Sequence, residues 1–256
     1  MAEKKLGRNP RKFDMRIPRA SLLRKKHDLP PAPLSIDYSA GLPDDLGEFL
    51  NDSLGDCTCA AYYHARQIWS GAGGRQMVTD SPVDALQLYE GACGYQPGNP
   101  DTDQGGVEQD VLNYLLNTGA PISGGVSKII GYVEIDQHNF DDLKRTIADC
   151  GVAYIGIQVP QSLMDSADDN SVVWDCVGDG TIIGGHAIVL VGYDLDTFTC
   201  ISWGKRYKIT HSFLAKYLDE AYGILDHAWI ESSGLTPFGM TPAEVETAMG
   251  ALKDAD

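Results

Sequence analysis

The sequence has no apolar stretch approaching the roughly 20 residues that a membrane-spanning helix needs. The longest, Ala187 to Val191, suits a buried strand at most. No hydrophobic segment follows the basic N-terminal residues, which argues against a secretory signal. Internal repeats and low-complexity tracts are lacking as well, so solenoid and fibrous architectures are excluded. Cysteine is scarce: the six residues at 57, 59, 93, 150, 176 and 200 could form three bridges. Without a signal segment they are expected as reduced thiols in a cytoplasmic setting. Positive charge is the minority, with 20 Lys and Arg against 36 Asp and Glu in 256 residues, a net charge of −16. A body this acidic is a poor direct ligand for nucleic acid.

What positive charge there is lies mostly at one end. Residues 1–26 hold ten Lys or Arg and two acids, a net +8, which leaves −24 on the rest. Such an arm suits an anionic partner, or folds back onto its own acidic body; composition leaves both open. A Pro-rich connector, Leu29-Pro30-Pro31-Ala32-Pro33, follows it. The chain therefore divides into a basic arm (1–29) and a domain (30–256). Helices are predicted over 57–70, over 82–90 behind the cap Ser81, over 107–117 and over 140–150. The loop 91–106 is rich in Gly, Pro and Asp. Segments 152–159, 185–193 and 197–209 read as strands, 170–179 as a further one, and 212–222 and 241–252 as helices. Helices first and strands later make an α+β protein, with a helical lobe over about 50–150, a β lobe over about 151–225 and a helical tail over 226–256.

One constellation carries chemistry. Cys57 begins a predicted helix, where unpaired backbone N–H groups and the helix dipole favour a thiolate, although a small buried residue fits the same place. His64 lies seven residues further along the same helix face, about 10.5 Å away along the axis, too far to pair with it. His186 opens an apolar strand behind Gly184-Gly185, where a ring can face a cleft. Read instead as a metal or redox site, Cys57, Cys59 and His64 lack a fourth ligand and match no common zinc spacing. No metal or cofactor is expected.

Five stretches, in order, resemble the papain family of cysteine peptidases. Pro33 to Tyr38 resembles the start of the mature enzymes, and Asn51 to Ala61 the segment ending at the nucleophile, here Cys57. Gln104-Gly105-Gly106, followed by Val111 to Tyr114, resembles the segment whose backbone pairs with bound peptide. Gly185-His186-Ala187 to Val191-Gly192-Tyr193 resembles the histidine strand, and Ser202-Trp203-Gly204 the segment after it. The resemblance covers about residues 30 to 225 and is nearest to the short-armed forms of bacteria and their phages.

The resemblance implies a papain-like two-lobed fold, a helical left lobe and a β-sheet right lobe with a peptide-binding cleft between them. Cys57 would attack as thiolate and His186 would hold and return the proton. Asn51 and the Cys57 N–H would form the oxyanion hole, and Gly105, Gly106 and Trp203 would bind a peptide or protein substrate. The departures are specific. Asn51 replaces a Gln, Thr58 an aromatic residue, Asp56 a Ser, and Ile201 the Asn that orients the histidine; a carboxylate at 56 would raise the Cys57 pKa, unless Asp56 serves as a simple N-cap. About thirty residues ahead of the core are too few for the usual inhibitory prodomain. The expected function is a cysteine-type thiol hydrolase. The alternative is a papain-fold binding or structural protein of little or no activity, virion-associated and docked through its arm.

Overall fold

The computed structural model describes residues 4–24, 31–233 and 237–253. In chain order the elements are α1 (Ala20–Arg24), β1 (Ile36–Asp37), α2 (Cys57–Gly71), α3 (Pro82–Cys93), α4 (Glu108–Asn117), β2 (Ala120–Ile122), β3 (Gly125–Ser127), β4 (Gly131–Glu134) and α5 (Phe140–Cys150). Then follow β5 (Ala153–Pro160), α6 (Gln161–Asp165), β6 (Ile182–Tyr193), β7 (Thr197–Ser202), β8 (Lys205–Thr210), α7 (His211–Tyr217), β9 (Leu218–Leu225), α8 (His227–Ser233) and α9 (Pro242–Lys253). The α+β class expected from sequence is the one observed.

Local chemistry explains the elements that frame the site. Helix α2 runs uninterrupted because nothing between Cys57 and Ser70 breaks it, and almost every side chain from Cys57 to Trp69 is buried. It packs against β6 on one side and against α3, α4 and α8 on others. Helix α3 opens with a capping box: Ser81 accepts from the Asp84 amide while the Asp84 carboxylate accepts from the Ser81 amide, with Pro82 at the first helical position. It passes through Gly91 and ends at Cys93, three residues beyond the predicted end; the Tyr114 hydroxyl occupies the space of the missing side chain at Gly91, where a Cβ would lie 2.4 Å from that oxygen. Gly94, at φ 78°, ends it. Asn139 caps α5 on the Asp142 amide.

The main sheet runs β4-β9-β5-β6-β7-β8, with β1 added along β6. Two expectations need correcting. Residues 170–179 contribute no strand; only Trp174 bridges to Ile209. The helix expected over 212–222 stops at Tyr217, and Leu218–Leu225 is strand β9, hydrogen-bonded to β4 on one side and β5 on the other. The helical pattern of 212–222 loses there to ladder bonds and burial on both faces. The predicted strand 197–209 is two strands, β7 and β8, turning at Trp203 (φ 45°) and Gly204 (φ 71°).

The arm does not stand away from the body. Most of its described cations pair with carboxylates, among them Arg8 with Asp219 and Glu220, Arg11 with Glu134, Lys12 with Asp110, Arg24 with Asp142, and Arg16 with Asp14 of the arm itself. The anionic partner considered for it is thus largely the chain's own acidic body; Lys25 and Lys26 lie outside the described residues. None of the described helices is long and apolar enough to cross a membrane.

Candidate active site

Cys57 is the first residue of α2, and its side chain is 1% exposed. Its Sγ accepts from the backbone N–H of Ala187 at 3.4 Å, so the thiol lies against β6 beside His186. The His186 ring is buried, stacked on the indole of Trp203 with centroids 4.3 Å apart and planes 15° from parallel. Its Nε2 is 2.8 Å from Ser202 Oγ, and its Nδ1 has no hydrogen-bond partner. Ser202 therefore stands behind the ring. Ile201, placed there by the resemblance, is fully buried in the core opposite Val189 and Arg206. Successive residues of a strand face opposite ways, so one position of displacement turns an apolar neighbour into a hydroxyl.

Asn51 is buried, but its side-chain amide donates to the Leu54 carbonyl at 3.1 Å, within its own loop. Asp56 takes the N-cap position of α2 without making a cap hydrogen bond, and burial pushes its carboxyl well above the usual range. Asp103 ties two loops of the site together by accepting from the Gly55 N–H at 2.9 Å and the Tyr89 hydroxyl at 2.7 Å; that hydroxyl in turn accepts from the Gly105 N–H. His64 is a packed helix histidine as expected, 2.9 Å from Gln67 Oε1 and edge-on to Phe49. Among the described residues no group of His, Cys, Asp and Glu has the arrangement of a metal site.

The groove between these elements is filled by the chain's own arm. Lys5 N–H donates to the Asn51 carbonyl, Gly7 and Arg8 N–H both to the Gly185 carbonyl, and Asn9 N–H to the Gly106 carbonyl, whose own N–H donates to Gly7 at 2.7 Å. Trp203 Nε1–H donates to the Lys5 carbonyl, and the Lys4 ammonium sits 4.8 Å over the same indole. All six residues named from sequence, Cys57, His186, Asn51, Gly105, Gly106 and Trp203, thus surround a peptide that the chain supplies itself. Glycine is required along this path: a Cβ on Gly7 would lie 1.9 Å from the Gly55 carbonyl oxygen, and one on Gly105, 2.1 Å from that of Gly7. Residues 5–9 of the arm reach across the cleft.

Enclosure sets the protonation states. Burial, then the neighbouring Asp56 and Glu108, push the Cys57 thiol up to about 12. Burial, then the arm cations Lys4 and Arg8 and the ring of His64, pull His186 down to about 3. With the arm in place the pair is a neutral thiol beside a neutral imidazole. Sequence reasoning misses Ser202 and the arm-facing carboxylates Glu108, Asp219 and Glu220. Glu108 stands two residues beyond the Gly105-Gly106 segment, a signal that could have found it; Asp219 and Glu220 are hidden inside a segment that reads as helix.

No family model matches the sequence, and no curated protein sequence matches it. Solved structures do. Xylellain, a cysteine protease from Xylella fastidiosa, superposes with a TM-score of 0.66 at 17% identity over 88% of this chain and 97% of its own. Procathepsin B S9 of Trypanosoma congolense gives 0.58 at 14% identity over 88% of each chain. The Carica candamarcensis cysteine protease CMS1MS2, in complex with E-64, gives 0.51 at 17% identity over 76% of this chain and 99% of its own. At these identities the likeness is one of fold: the chain has the fold of the papain-like cysteine proteases.

Proposed function

We propose that the chain is a thiol hydrolase acting on peptide bonds, with Cys57 as nucleophile and His186 as base and acid, and that the arm-filled groove is its closed state. The observation that carries this reading is the polarity of the His186 ring. Ser202 engages Nε2, leaving an unpartnered Nδ1 on the residue next to Ala187, whose backbone N–H meets the Cys57 sulfur. A hydroxyl accepting from Nε2–H fixes the tautomer whose Nδ1 lone pair can take the Cys57 proton.

Once a substrate displaces the arm, water and substrate dipoles replace the enclosure that holds the pair neutral. The Cys57 thiol gives its proton to His186 and attacks the carbonyl carbon as thiolate; the imidazolium then protonates the leaving amine, and water hydrolyses the thioester. The first-turn N–H of Cys57 faces the developing oxyanion. Asn51 joins it only by releasing Leu54, a reorientation that makes this hole weaker than a preformed one. Six free thiols among the described residues fit a reducing, cytoplasmic setting for such an enzyme.

The competing reading, a papain-fold binding or structural protein, draws on the same filled groove. Hydrolysis of a fluorogenic peptide library by the full chain and by Arg8→Ala, with Cys57→Ala as control, separates the two. Activity that rises in Arg8→Ala and vanishes without Cys57 supports the hydrolase; no turnover in any form rejects it.

A further inference from the structure

Where the arm crosses the groove, Arg8 turns its side chain inward, and only 4% of it is exposed. Its guanidinium meets Glu220 Oε1 and Asp219 Oδ2 at 2.5 Å each, both from β9. Glu220 is fully buried, and its other oxygen accepts from the Tyr222 hydroxyl at 2.8 Å. A third carboxylate, Glu108 at the start of α4, is fully buried with neither oxygen hydrogen-bonded. It borders the same space: a Cβ on Gly156 would lie 2.5 Å from Arg8 Cδ and 2.8 Å from Glu108 Oε1. Gly156 and Gly185 together leave the room that the guanidinium fills.

The pocket thus offers more than the arm uses. Three carboxyl groups face one cation, and neither Glu108 nor Arg8 Nε makes a hydrogen bond, although Glu108 lies within the field of the guanidinium. We propose that Glu108, Asp219 and Glu220 form the specificity pocket of this groove, and that it takes the guanidinium of an arginine in the peptide that replaces the arm. The proposal rests on the reading of the groove as a peptide site and names the side chain it selects. A planar fork can serve two carboxylates at once and turn its remaining N–H groups to a third, which a compact ammonium does less well. An apolar side chain would leave Glu108 and one oxygen of Glu220 buried without a partner, so the pocket rejects it as well as favouring arginine.

The test uses the full chain carrying Arg8→Ala and a fluorescent peptide copying residues 4–12. A second peptide carries citrulline, uncharged and of the same shape, in place of the arginine. Fluorescence anisotropy is expected to show the arginine peptide binding at least about tenfold tighter. Adding Glu220→Gln, or separately Glu108→Gln, should shrink that ratio severalfold. Equal binding of the two peptides, or binding of neither, overturns the assignment. Kinetics with fluorogenic substrates bearing arginine or norleucine keep the two ideas apart. Discrimination in binding without hydrolysis of any substrate leaves the pocket standing and removes the hydrolase; hydrolysis indifferent to arginine does the reverse.

Discussion

Replacing Arg8 by alanine is expected to open the site, and the size of the effect follows from the contacts. Arg8 loses two charge-assisted bonds, one to a carboxylate with no exposure and one to a carboxylate whose side chain is 29% exposed. Removing one partner of a buried ion pair costs about 3–5 kcal/mol. Glu220 keeps its bond from Tyr222 and Asp219 is partly wet, so the lower end applies. About 3 kcal/mol is roughly 150-fold in the ratio of docked to released arm. Iodoacetamide labelling at pH 7, resolved by mass spectrometry of each cysteine peptide, reads that ratio, because only a released arm exposes the thiol. In the unaltered chain the exposed Cys176 should react first and the buried Cys57 lag with Cys59 and Cys200, the reverse of what a helix-start thiol in an open cleft would do. In Arg8→Ala, Cys57 should accelerate by about two orders of magnitude while Cys176 stays constant. The reasoning is refuted if Cys57 already matches Cys176 in the unaltered chain, or if Arg8→Ala folds normally and leaves the Cys57 rate unchanged.

Gly7→Ala puts a Cβ against the Gly55 carbonyl and should release the arm as effectively, by the same labelling assay; slow labelling in that variant would place the arm's anchor elsewhere. Ser202→Ala, made in the Arg8→Ala chain, should lower kcat by roughly 10–100-fold with little change in KM, since it removes the partner of His186 Nε2 and touches no substrate. Ile201→Asn should give no gain in kcat and cost about 3 kcal/mol in denaturant unfolding, because an amide replaces a fully buried apolar side chain. His64, held at about 4 by burial, contributes stability that is full above pH 6.5 and is lost as pH falls towards 4. The stability difference between the chain and His64→Gln should therefore shrink by up to about 3 kcal/mol over that interval, read from unfolding at a series of pH values.

Elements written in local signals are legible in the sequence alone. Ser81-Pro82 with Asp84 starts α3, Asn139 starts α5, and α2 needs only a run, Cys57 to Ser70, without a breaker. The pair proposed here for the chemistry is picked out for the same reason, since a cysteine at a helix start and a histidine after two glycines are each local patterns. What escapes depends on partners distant in sequence. Residues 218–225 carry no helix breaker before Gly223, and only the neighbours β4 and β5 make them a strand. Ser202 stands within a recognisable segment, yet the family pattern places the orienting role one residue earlier, at Ile201. The side of the strand that faces His186 is set by register, which a motif does not encode. The arm's charge implies attraction to an acidic surface but does not say that residues 4–12 lie in the groove.

On the proposed reading of the site, the arm can occupy that groove without being cut because of what it turns towards the sulfur. Cys57 Sγ meets N–H groups, that of Ala187 and that of Gly7, and so faces donors in place of an electrophilic carbon. The Gly7 carbonyl points away, engaged by the Gly106 N–H at 2.7 Å, and the arm runs parallel to the strand segment at Gly106. Within the groove five backbone bonds hold residues 5–9, all to Asn51, Gly106 and Gly185, the groups a peptide ligand would use in the proposed site. Substrate and arm therefore compete for identical main-chain partners, and main-chain bonds are blind to sequence. The difference between one competitor and another must come from side chains, and the side chain most deeply held is Arg8 among its carboxylates. A substrate lacking a comparable cation gives up that anchorage and gains only bonds the arm already makes. One bearing arginine in the same place meets the arm on equal terms and can then present a carbonyl carbon to Cys57.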